Sequence, residues 1–388
     1  ARQGMFRGVS RYEGPAETAK MLLSVRWNFK PERLLERVGA YNDEFLDWCK
    51  THRITMMTLV WSPGFSHEGD LVQWDLLRRY IPKARRRGIK VIAYHSLTNC
   101  FWQEMIQEVP ELRQWRQQDF NGDDVPYMAA TYTGVVSRIL MCVNNPGWRD
   151  SFKCKVRAAL EAGVDGLFFD NLFSKCYCPI CRQGFAEYTE QVYGQRHEMP
   201  APDMMTEDQL QKRTGIEVIA DSDRNVSGTR SFLQMARSEY WNRSAADFLG
   251  EVWEMARRIK PDVVFQHNAH ERWPMNEVCN FKLSEDDKPP TYDPATGALW
   301  TNLGLWKYLY EDGGRQKPFV NGVRNKIEWA EILACGGYGS SVIDSTCQEF
   351  HRRHGRALYH DMHPLGRVGV VIRGLSPVAE RAPFFTHL

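Results

Sequence analysis

Short, mostly apolar runs recur along this 388-residue chain, separated by stretches of helical period. The runs are Met21–Trp27, Ile54–Val60, Lys90–Tyr94, Val164–Phe169, Asp262–Gln266, Val278–Leu283, Pro318–Asn321 and Tyr338–Ile343. Runs this short suit strands buried on both faces. Between them, Pro31–Thr51 places Leu34, Leu35, Val38, Tyr41, Phe45, Leu46 and Cys49 at helical spacing. Leu71–Arg87 (stopped by Gly88), Trp148–Ala162, Gly184–Tyr193, Phe232–Ile259, Leu299–Glu311, Ile327–Ala334 and Cys347–His360 also read as helices. Eight strands alternating with helices predict an α/β chain folded as a (β/α)8 barrel over residues 1–365. A doubly wound sheet is the competitor, but it carries a glycine-rich phosphate loop after its first strand, and this chain has none. A long excursion, 97–146, follows the third strand, with a helix around Gln103–Arg116 and a hairpin over Thr131–Val143. A polar insertion, Pro200–Gly228, follows the fourth, and Val368–Ile372 opens a further domain over 366–388.

Charge and hydropathy narrow the function classes. Fifty basic and 48 acidic residues leave a net charge of +2, with no basic stripe, which argues against nucleic acid. No apolar run approaches the roughly 20 residues that span a bilayer, so no membrane partner is expected. Of ten cysteines, Cys176, Cys178 and Cys181 crowd together while Cys49, Cys100, Cys142, Cys154, Cys279, Cys335 and Cys347 scatter singly. That spacing predicts a metal site plus ordinary buried thiols in a reducing, cytoplasmic setting, not a disulfide scaffold.

In a barrel of this kind, chemistry sits at the C-terminal ends of strands. Those ends carry Trp27, Trp61, His95, Asp170 with Asn171, His267 with Asn268 and His270, Glu285 with Asp286, and Asn321 with Arg324. Carboxylates among amides, imidazoles and indoles suit glycoside hydrolysis, in which two carboxyl groups flank the scissile bond and aromatic faces stack on the sugar. Asp170 is the candidate nucleophile, though an aspartate after a strand also serves as a helix cap. Glu285 is the candidate acid/base, with Asp286 as its substitute, against the alternative of a solvated acidic loop. His95, His267 and His270 either bind hydroxyls or hold structure, and Glu68, Trp102, Trp273 and Trp300 are candidates for the pocket wall.

The C-x-C-x-x-C run converges three thiolates, and a closed structural zinc site takes four ligands. Cys142 or Cys100 could supply the fourth.

At this cluster the chain resembles glycoside hydrolase family 42, zinc-containing β-galactosidases built on a barrel. The stretch DNLFSKCYCPICRQGFAEY, Asp170–Tyr188, is similar to the family's layout after its fourth strand, and SRILMCVNNPGWRD to its R-x-x-x-C-x-N-x-P-x-x-R segment. The resemblance implies zinc with Cys142 as fourth ligand, and Arg138 as a substrate-contacting residue. It also departs: Leu172 stands where the family has its acid/base glutamate, and FVNGVR, with Asn321 and Arg324, where it has its nucleophile. The D-G-x-x-F-D wording of Asp165–Asp170 instead looks like the α-L-fucosidases and α-amylases, whose nucleophile aspartate ends the fourth strand. The expectation is an exo-acting, retaining glycoside hydrolase with a relocated catalytic pair, a carbohydrate substrate and a homo-oligomeric state. Two alternatives stand beside it: a carbohydrate-binding pseudoenzyme, motivated by Leu172, and a metal-dependent hydrolase using His267 and His270.

Overall fold

The computed structural model describes residues 42–51, 54–127, 138–172, 174–199, 232–268, 278–284, 291–296, 298–300, 319–321, 326–334, 338–339 and, singly, 346, 347, 349, 350, 353 and 354. Among these, seven parallel strands form one sheet: β1 (Met56–Ser62), β2 (Lys90–Ser96), β5 (Gly166–Asp170), β6 (Val264–Asn268), β7 (Phe281–Ser284), β10 (Phe319–Asn321) and β11 (Tyr338–Gly339). Short β3 (Asn99–Phe101) and β4 (Arg138–Leu140) pair with each other, as do β8 (Thr291–Asp293) and β9 (Ala298–Trp300).

The sheet order is the chain order, β1-β2-β5-β6-β7-β10-β11. A doubly wound sheet reverses direction at a switch point, whereas a barrel adds each strand beside the last. The seven strands match seven of the eight expected; the first, Met21–Trp27, lies outside the described residues, as does the expected domain at 366–388.

Local chemistry explains the helices. Pro146–Glu161 starts where the Asn145 side chain accepts from the backbone N–H of Gly147 and Trp148, with Pro146 in the first turn. Pro179–Tyr193 stops at Gly194 in the left-handed conformation. His67–Arg86 and Phe232–Ile259 complete the helical layer beside the first four strands of the sheet. Gly166 is required by packing: a Cβ there would stand 2.5 Å from a Val264 methyl and 2.8 Å from its carbonyl oxygen. β5 thus lies close between β2 and β6.

Strand alternation divides the sheet into two faces. Val91, Ala93, Leu167, Phe169 and Phe265 are buried in the main core. Phe169 meets Phe152 of the Pro146–Glu161 helix, and Phe265 meets Trp253 of the Phe232–Ile259 helix. Ile92, Tyr94, Ser96, Phe168, Asp170, Gln266 and Asn268 alternate to the opposite face. A second apolar cluster gathers Cys142, Cys176, Cys178 and Cys181 with Tyr177, Phe185, Tyr240 and Trp241.

Two expectations need correction. The Gln103–Arg116 helix is broken into Trp102–Glu108 and a 3-10 turn, Pro110–Gln114, because Pro110 cannot continue an α-helix. Arg138–Leu140 pairs with Asn99–Phe101 on one edge and meets Val125–Tyr127 on the other, while most of the expected Thr131–Val143 hairpin lies outside the described residues. Ala298–Trp300 is a strand where Leu299 was expected to open a helix.

Candidate functional site

Asp170 is the last residue of β5, and its half-buried carboxylate receives three donors. Tyr94 Oη donates to Oδ2 across 2.6 Å; the backbone N–H of Asn171 and the Asn268 amide donate to Oδ1 at 2.7 and 3.1 Å. Asn171 itself is 4% exposed, and its Nδ2 reaches Ser96 Oγ at 2.7 Å and Tyr94 Oη at 3.3 Å. Its φ of +56° is the one positive value on a non-glycine among the described residues, a conformation asparagine tolerates better than most. Thr98 Oγ1 donates to the Asn171 carbonyl, and the Leu97 N–H to that of Asp170 at 2.8 Å, so the turn is held from both sides.

The structure therefore brings Asp170, Asn171 and Asn268 together, and adds Tyr94 and Ser96, which the sequence reading passed over. Strand parity was the available signal, because both lie on the face of β2 that Asp170 occupies on β5.

His95, His267 and Trp61 stand elsewhere. β2 and β6 run two residues beyond the apolar runs that announce them, so His95 and His267 fall inside strands on the helix-facing side. His95 is fully buried beside Phe152 and Phe169, with Nδ1 3.1 Å from the Ala93 carbonyl; burial lowers its pKa to about 4. His267 is equally buried. Trp61 follows Leu59 by two residues and faces the same side, where it stacks on Trp74 at 4.9 Å, and a bulge between Val60 and Ser62 brings Ser62 to that side as well. Beneath it a buried ion pair, Lys155–Asp70 at 2.9 Å, is completed by Ser62 Oγ and the Phe65 carbonyl.

Arg138 lies on the β3–β4 ribbon. Its Nε donates to Asn99 Oδ1 at 2.8 Å, and its guanidinium stacks 3.9 Å from the Tyr127 ring centre. The ribbon joins the Asp170 turn through Thr98, whose carbonyl accepts from Met141 N–H at 2.6 Å. Trp102 is half-buried against the main core, with the Arg113 guanidinium over its ring. Asn321 ends β10, in register with Ser284, the residue before Glu285. Glu285, Asp286, His270, Arg324 and Trp273 lie outside the described residues, as do the side chains of Glu68, Trp300 and Asn321.

The thiols of Cys142, Cys176, Cys178 and Cys181 lie within 4.8 Å of one another and are all buried. Cys142 Sγ is 3.4 Å from Cys181 Sγ and 3.8 Å from Cys178 Sγ. Four thiolates at about 2.3 Å from a tetrahedral ion would be about 3.8 Å apart, so the cluster could hold a metal ion. Cys100 is buried in the main core instead. Hydrogen bonds from Cys142, Cys176 and Cys181 push the Cys178 thiol far below its usual range, while those to Cys176, Cys178 and Cys181 push Cys142 up. Asn144 Nδ2 approaches Cys181 Sγ at 3.4 Å and Tyr240 Oη at 3.1 Å, and Trp241 Nε1 donates to the Cys176 carbonyl at 3.2 Å. Among the described residues this is the only such group of metal-ligating side chains. No helix among them is long and apolar enough to cross a membrane.

No family model matches the chain, and no curated protein matches it. Among solved structures it is similar to a cycloisomaltooligosaccharide glucanotransferase from Paenibacillus sp., at 13% identity and a TM-score of 0.44, over 73% of this chain and 36% of that one. It is also similar to a β-galactosidase from the psychrophilic Marinomonas ef1, at 13% identity and a TM-score of 0.49, over 78% and 51%. For an α-galactosidase from Lactobacillus brevis the values are 12%, 0.46, 82% and 38%. The chain thus spans about a third to a half of the length of these three proteins.

Proposed function

We propose that the chain is a retaining, exo-acting glycoside hydrolase on a (β/α)8 barrel, with Asp170 as nucleophile and Glu285 as acid/base. The observation that carries this reading is the Asp170 carboxylate, which accepts from Tyr94, Asn171 and Asn268 at the C-terminal end of a parallel strand. In the first step an Asp170 oxygen attacks the anomeric carbon, the glycosidic bond breaks, and Glu285 protonates the departing oxygen. In the second, water deprotonated by Glu285 hydrolyses the glycosyl ester and restores both groups. Asp286, Arg138, Asn268, His270, Asn321 and Arg324 are the proposed sugar contacts around them. The proposed pair requires the carboxyl groups to stand about 5–5.5 Å apart.

Zinc is the proposed occupant of the cysteine centre. Four thiolates leave it no open position, so it would fix the loops carrying Cys142 and Cys176 and take no part in the reaction.

A screen of aryl glycosides differing in sugar and anomeric configuration tests the reading. Turnover of one substrate, abolished by Asp170→Asn with the fold intact, is the expected result; full activity in that variant overturns it. A second reading is favoured by Leu172, which is 2% exposed and packed in the main core where the resembling family keeps its acid. It is a sugar-binding protein without turnover, and calorimetric sugar binding with no hydrolysis across the screen would support it.

A further inference from the structure

The reading of Asp170 as nucleophile leaves open what Asn171 and Tyr94 do. We propose that Asn171 is a positioning residue, not a sugar ligand: it fixes the Tyr94 hydroxyl proton on Asp170 Oδ2. The inference rests on that reading for its kinetic consequence, but its geometry stands separately.

The direction of each hydrogen bond follows from what the groups are able to do. Across 2.6 Å Tyr94 Oη donates its single proton to Asp170 Oδ2. Toward Asn171 the same oxygen is then left only to accept, so the Asn171 atom facing it at 3.3 Å is the amide nitrogen. The second hydrogen of that nitrogen points to Ser96 Oγ at 2.7 Å. Both hydrogens are thereby engaged inside the protein, on a residue 4% exposed, and none is left for a sugar hydroxyl. The left-handed turn at φ +56° is what brings the amide back beneath its own strand, and Thr98 holds the carbonyl in that turn. A hydroxyl so occupied cannot rotate its proton away from the carboxylate. When Asp170 leaves the glycosyl ester, the phenol is already aimed at the oxygen that regains charge.

Asn171→Gly tests this, because glycine accepts the positive φ while losing the amide. The expected result is a fall in kcat of roughly tenfold, the effect of freeing the one hydroxyl that donates to the nucleophile, with KM unchanged. Tyr94→Phe should lower kcat similarly, and the double variant should fall no further than Tyr94→Phe alone, since Asn171 acts through Tyr94. A raised KM with unchanged kcat, or additive losses, overturns the proposal. A second measurement needs no activity: protein labelled with 3-fluorotyrosine, with the Tyr94 fluorine resonance assigned by its absence in Tyr94→Phe. That resonance should move in both Asp170→Asn and Asn171→Gly. If it stays in place in Asn171→Gly, the positioning role is wrong. If no glycoside is turned over yet the resonance moves, the glycosidase reading falls and the positioning role stands.

Discussion

Tyr94 reaches Asp170 diagonally: β2 and β5 set Tyr94 opposite Phe168 and Ser96 opposite Asp170, yet it is the Tyr94 hydroxyl that lies 2.6 Å from the carboxylate. The phenol ring stands edge-on to Phe168, 5.4 Å away, and its length carries the hydroxyl one side-chain pair further along the strand. Ser96, the direct partner, is too short and instead accepts from the Asn171 amide. The site is thus built from strand register, and the donors to Asp170 come from three neighbouring strand ends.

Asn268 is the side-chain donor to Asp170 Oδ1. Asn268→Ala takes one of two hydrogen bonds from Asp170 Oδ1 and leaves the Asn171 N–H in place. The expected outcome is a loss in kcat/KM of about ten- to a hundredfold with little change in thermal midpoint, since Asn268 is half-buried at the strand end. Steady-state kinetics beside a melting curve check it.

The cysteine centre should bind one metal ion per chain, detectable by elemental analysis of the purified protein. Cys142→Ser should lower that content sharply and destabilise the second apolar cluster, because Cys142 joins the β4 segment to the Cys176–Cys181 loop. Trp241 reports on this directly, as its indole donates to the Cys176 carbonyl. Removing the metal with a chelator should shift the tryptophan emission to longer wavelength, and reloading should release protons as the thiols ionise.

Much of this architecture is legible in the sequence, for identifiable reasons. Short, mostly apolar runs mark β1, β2, β5, β6, β7, β10 and β11, since parallel strands covered by helices carry few polar positions to disguise them. The cysteine spacing marks the four-thiol cluster because thiols seldom crowd by chance. Strand ends were harder to place. The last residues of β2 and β6 are polar, His95-Ser96 and His267-Asn268, and polarity reads as loop. A strand two residues longer turns a presumed pocket histidine into a core one. The Lys155–Asp70 pair was invisible, because 85 residues of chain separate its members and each alone reads as a surface charge.

That pair gives a stability prediction. Lys155 and Asp70 are 4% and 2% exposed, so removing one partner leaves a desolvated charge behind. Lys155→Met should cost about 3–5 kcal/mol, the range for breaking a buried ion pair. The exposed pair Arg196–Glu190 makes the control: Arg196→Ala should leave the denaturant midpoint almost unmoved.

His95 sets an acid limit on the same layer. Burial holds its pKa at about 4, below the 6.5 of the free side chain, so the folded protein keeps the ring neutral where the unfolded chain protonates it. Between those values the unfolded state binds more protons, and stability therefore rises with pH across that window. The contribution is fully present above pH 6.5 and is lost progressively as pH falls to about 4, a total of about 3 kcal/mol at 1.36 kcal/mol per unit. His95→Phe has no proton to take up, and it faces Phe152 and Phe169, which accommodate a ring. It should be less stable than the parent at neutral pH, having lost the contact to the Ala93 carbonyl, yet the gap should narrow as the pH drops from 6.5 to 4. Denaturant unfolding of both proteins at several pH values measures that gap directly. The thiol cluster is common to both, so its own pH dependence cancels in the comparison. A gap that stays constant with pH would show that His95 takes up its proton at the same pH in the folded and unfolded protein.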